Sequence, residues 1–114
     1  MSRDCSPGGR VGTRTAAEVD AVIARLSGSP QPLPAPLRGA LAAYEWAVGR
    51  RPVAPVSGSQ ALDAVPTEAQ LVGEERASLR RVHDRVGTSL AERDFALGAV
   101  RALAWLLGYT GDQP

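Results

Sequence analysis

The sequence predicts an all-α fold, a four-helix bundle built from two helical hairpins. Three observations carry that prediction. Helix-start signatures of the Ser/Thr-x-x-Glu/Gln type stand at Thr15/Glu18, Thr67/Gln70 and Ser89/Glu92. In each, two side chains satisfy two backbone N–H groups that a helix start leaves without partners. Apolar residues then recur at helical spacing, and no stretch sustains the period-two alternation of a half-buried strand. Finally, residues 39–49 and 98–108 share one frame, Gly-Ala-x-x-Ala-x-x-Trp-x-x-Gly, which holds both tryptophans.

Residues 1–14 are rich in Gly, Pro, Ser and charge and read as a disordered tail. The single helical domain spans residues 15–108. Its first helix, about 16–27, is capped by Thr15 and carries Val19, Val22, Ile23 and Leu26 as one apolar stripe. Gly28 stands where a left-handed C-terminal cap is expected. The prolines that follow prevent continuation, and Pro36 suits the first turn of a second helix, about 36–48, with Leu37, Leu41, Tyr44 and Val48 on one face.

Residues 50–66 form a long connection containing Pro, Gly and Ser, read either as a binding segment or as flexible chain. Residues 52–56 suit an extended path along the body. A short helix near 61–64 is possible with Ser59 as its cap. The third helix, about 68–86, presents Leu71, Val72, Leu79, Val82 and Val86, and Gly87 ends it. The fourth, about 90–107, stops at Gly108, and residues 109–114 read as frayed.

Within the repeated frame, Gly39, Ala43 and Trp46 share one side of a helix, as do Gly98, Ala102 and Trp105. Each indole leans over its small neighbours. Burying one indole removes about 150–250 Å² from water, at most about 4–6 kcal/mol. The second helix therefore has two faces that call for burial. Either the two Trp faces pack against each other inside one chain about a pseudo-twofold axis, or one of them forms the seam of a homodimer.

Composition narrows the function classes. The 13 basic residues counted as Lys+Arg are all Arg, a bias expected of a GC-rich bacterial genome. Without Lys there is no Schiff-base lysine and no Walker-type phosphate loop, so Gly8-Gly9-Arg10-Val11-Gly12-Thr13 reads as tail. One cysteine, Cys5, permits no disulfide within a chain, which points to the cytoplasm. Neither a secretory leader nor a membrane-spanning run is visible.

His83 has Leu79, Arg80, Val86 and Gly87 at the spacings where a helical metal site needs a second ligand, so it reads as a solvated surface histidine. Glu74/Glu75 and Glu92/Asp94 are accounted for by the helix dipole. No catalytic, cofactor-binding or metal-binding residue is expected.

Two partner classes follow. The primary expectation is a non-enzymatic interaction or assembly module, homodimeric or bound to another protein, with Gly39, Ala43, Trp46, Gly98, Ala102 and Trp105 as packing or interface residues. The alternative is a nucleic-acid-binding regulator using Arg76, Arg80, Arg81 and Arg85 on the third helix. Residues 79–92 resemble the opening of a repressor-type helix-turn-helix. The resemblance ends at residues 99–107, which have almost no side chains that read base edges.

Overall fold

A computed structural model describes residues 10–28, 32–60, 65–84 and 87–111. Four helices dominate them: α1 (Ala16–Ser27), α2 (Ala35–Ala47), α3 (Glu68–His83) and α4 (Leu90–Leu106). The chain is all-α, with one small addition: β1 (Arg10–Val11) and β2 (Arg14–Thr15) form a two-residue antiparallel ribbon, Arg10 opposite Thr15.

All three capping boxes close as their spacing requires. Thr15 accepts from the Glu18 N–H, Thr67 from that of Gln70 and Ser89 from that of Glu92, and each reciprocal bond is present. The stripe Val19, Val22, Ile23 and Leu26 is buried against α2. Packing joins α1 to α2 and α3 to α4, and the two hairpins meet through α2 and α4, the most extensively packed pair.

That central pair explains the repeated frame. A Cβ added to Gly98 would fall onto the backbone of Pro36, 2.8 Å from its Cα; one added to Gly39 would fall onto Phe95, 2.8 Å from its carbonyl carbon. Pro36 and Phe95 stand at equivalent places in the two repeats, three residues before each glycine. Farther along, the Tyr44 and Trp105 rings meet edge to face at 5.9 Å and 86°. Early residues meet early ones and late meet late, so α2 and α4 run in the same direction, in register, about a pseudo-twofold axis.

Each helix of the pair closes in the same way. Gly49 N–H donates to the Trp46 carbonyl and Arg50 N–H to that of Glu45; Gly108 and Tyr109 repeat this on Trp105 and Ala104. Gly49 and Gly108 take positive φ, 87° and 78°, the left-handed residue of a Schellman close.

Four expectations are corrected. Gly28 is not left-handed: its φ is −84°, and α1 ends without that device. The tail expected to be disordered over residues 1–14 is ordered from Arg10, with Val11 buried; residues 1–9 lie outside the described residues. Its order comes from α4, whose last turn has no basic residue to cap it. Thr13 supplies its N–H and hydroxyl to the Leu106 carbonyl instead, at 2.7 and 3.0 Å.

The other two concern burial faces. On α2, Leu37, Leu41 and Val48 are only half-buried, while the Gly39–Ala43–Trp46 side is deeply buried along with Tyr44. On α3 the buried stripe is Leu71, Glu74 and Ser78, and Leu79 is 39 % exposed. Helix α3 ends at His83 with Asp84 extended; Arg85 and Val86, and the short helix suggested near residues 61–64, lie outside the described residues.

Candidate functional site

The six residues of the two Trp faces come together in one chain. Trp46 and Trp105 are 1 % and 3 % exposed, Ala43 and Ala102 fully buried, and Gly39 and Gly98 sit at the helix crossing. They form core packing and offer no open surface. Arg14, which the sequence reading assigned to the tail, completes this region. Its guanidinium carbon lies 4.5 Å from the Trp105 ring centroid, and its Nε donates to the Trp105 carbonyl at 2.8 Å. A second hydrogen bond runs from its Nη2 to the Thr110 carbonyl. The arginine thus caps α4 with a cation–π contact and two hydrogen bonds. Burial pushes the neighbouring Tyr44 phenol well above its usual range, against the opposing pull of Arg25 and Arg14.

The open surface lies elsewhere. The connection after α2 folds back on itself: Val53 pairs with Gln60, and Ala54 N–H donates to the Ser59 carbonyl. This replaces the extended path expected for residues 52–56. At its tip, the N–H groups of Val56 and Ser57 need an acceptor. Glu74 provides it, its Oε2 receiving both at 2.7 and 3.1 Å from a side chain 3 % exposed. The carboxylate is therefore a structural clamp, and the helix dipole is not its main role. Its Oε1 and the Ser78 hydroxyl have no hydrogen-bond partner among the described residues.

The clamp sets the tip of the connection beside the second half of α3, and a groove of about 920 Å³ opens between them. Val56, Ala77 and Leu79 supply apolar surface; Arg76, Arg80 and Arg81 supply cations, and Ser57, His83 and the acid Asp84 complete the lining. Three of the four arginines singled out by the sequence reading thus line one groove; Arg85 lies outside the described residues. A smaller hollow of about 330 Å³ continues past Arg81 and Val56 to Arg38 and Phe95.

Nearby acids are engaged locally. Asp84 receives a hydrogen bond from Thr88 at 3.3 Å. Glu92 accepts from the Ser89 N–H at 2.9 Å, and the Ser89 cap, aided by Arg81, holds its carboxyl below the usual range.

The cations are legible in the sequence; the wall opposite them is not. The wall depends on Glu74, whose only signal was its place between Leu71 and Ser78 at spacings of three and four.

Among the described residues, no three or more His, Cys, Asp or Glu side chains cluster as metal ligands. No described helix is long and apolar enough to cross a membrane. Comparison with known protein families, curated proteins and solved structures finds no match to this chain.

Proposed function

We propose that this chain is a non-enzymatic helical interaction module that meets its partner through the arginine-lined groove on α3. One observation carries the reading: an open groove with an apolar floor and a cationic rim, on a body whose tryptophans are buried. Exposed surface that combines apolar and charged groups suits docking of a second molecule. Cytoplasmic location belongs to the same proposal, on the strength of the lone cysteine.

Self-association, the interaction the sequence suggested first, fits this burial in one form: exchange of hairpins, with α2 of one copy packed on α4 of another. Light scattering after gel filtration tests it, and a monomer at micromolar concentration removes it.

The module reading is tested by a photoreactive side chain in place of Leu79, with Ala21 on α1 as the control position. Irradiation in the native host should yield protein adducts specific to position 79, lost when Arg80 and Arg81 become Glu. Equal adducts at both positions, or none, refute the reading.

The clustering of Arg76, Arg80 and Arg81 favours a second reading, a nucleic-acid-binding regulator. Three phosphate contacts give a slope of about −2.7 in log affinity against log salt. Anisotropy with labelled duplex DNA measures it; salt-insensitive or undetectable binding eliminates this reading.

A further inference from the structure

We propose that the groove takes an acidic helical segment of a partner protein, with carboxylates four residues apart and an apolar residue beside each. The inference rests on the interaction-module reading and names its ligand class.

Charge comes first. Among the described residues, neither Arg76 nor Arg80 has an ion-pair or side-chain hydrogen-bond partner. The lining holds one acid, Asp84, which accepts from Thr88 at 3.3 Å, against three arginines, and Glu92 is engaged by the Ser89 cap, so the rim keeps a positive excess. Guanidinium groups bind planar carboxylates through two parallel hydrogen bonds.

Spacing comes second. Arg76 and Arg80 are four residues apart on α3, about 6 Å along the axis. Carboxylates at i and i+4 of a helix lying along the groove have the same rise.

The floor comes third. Val56, Ala77 and Leu79 lie along the groove, and Leu79 is 39 % exposed. An apolar side chain of the partner buries that surface, in the manner of an amphipathic helix laid in a groove. A nucleic-acid strand makes poorer use of it. Among the described residues no Phe, Tyr or Trp lines the groove for base stacking, and no Asn or Gln is there to read a base edge.

The experiment uses the whole chain and a labelled peptide of Glu-Leu-Ala-Ala repeats, about 15 residues long so that the helix can form. Anisotropy should show saturable binding. Arg80→Glu should weaken it about tenfold, Leu79→Ser should also weaken it, and a Lys-Leu-Ala-Ala peptide should bind Arg80→Glu better than the unaltered chain. Arg80 is exposed, and circular dichroism confirms that each variant stays folded.

No peptide binding, or binding indifferent to Arg80→Glu, overturns the proposal. So does duplex DNA binding in place of the peptide. If the peptide fails while position 79 still captures protein in the host, the ligand class is wrong and the module reading stands. If both fail, both fall.

Discussion

Gly98→Ala tests the fold at its tightest point. In an exposed helix, Ala in place of Gly stabilises by about 1 kcal/mol. At Gly98 the new methyl would fall onto the Pro36 backbone, 2.8 Å from its Cα, where carbon atoms normally stand about 3.5–4.0 Å apart. Backbone cannot rotate aside, so α2 and α4 must part locally by roughly 1 Å. A gap of that size forfeits about a quarter to a half of each atomic contact across the seam. Overpacking of this kind costs about 1–3 kcal/mol, and an immovable obstacle sets the upper end. Less the propensity gain, the net loss is about 2 kcal/mol, roughly 10 °C in midpoint temperature for a domain this size. Gly73 on α3 is the internal control, since nothing lies within 4 Å of a Cβ placed there. Urea titrations followed by circular dichroism should move in opposite directions, Gly73→Ala gaining about 1 kcal/mol. Gly98→Ala as stable as the parent, or more so, would refute the close-approach argument.

Three further outcomes follow from buried and capping groups. The Tyr44 hydroxyl is buried without a hydrogen-bond partner among the described residues, so Tyr44→Phe should stabilise by about 1 kcal/mol. The folded phenol is raised, so its contribution is intact below the unfolded value near 10 and is lost as pH rises past it; alkaline melts of Tyr44→Phe should show less of that loss. Glu74→Ala should speed hydrogen exchange at Val56 and Ser57 selectively, with slower exchange restored in Glu74→Gln, which keeps an acceptor; unchanged exchange would show that the clamp is idle. The Glu92 carboxyl is lowered, so its capping contribution holds above the unfolded carboxylate value and fades as pH falls through the folded one. Acid melts should therefore decline less steeply in Glu92→Gln, and equal slopes would remove Glu92 from the acid response.

The helices were legible because their signals are local. A capping box needs only residues three apart, and a stripe like Val19–Leu26 needs only one helical face. The small-residue frame was legible as packing, and its pairing within one chain was among the stated alternatives. What escaped depends on residues far apart in sequence. Arg14 acquires its role only when Trp105 and Thr110 arrive beside it, and α4 is capped by a segment 93 residues away. Glu74 looked like an ordinary acid near a helix N-terminus because its acceptor role is defined by two N–H groups in a loop without regular structure. The four arginines were visible as a basic side of a helix. That three of them line a groove follows from the placement of Val56 opposite, which no helical periodicity encodes.

The docking of Thr13 on Leu106 has a consequence for biosynthesis. The 93 residues between them take roughly 5–20 s to translate. Once Ala47 is made, 59 residues remain up to Leu106, and until then the Gly39–Ala43–Trp46 face is without its mate. The frame on α4 is a near copy of the one on α2, so the α2 of a neighbouring nascent chain offers a similar surface. The symmetry that closes the finished domain therefore leaves each half-made chain with a face that fits a second copy of itself.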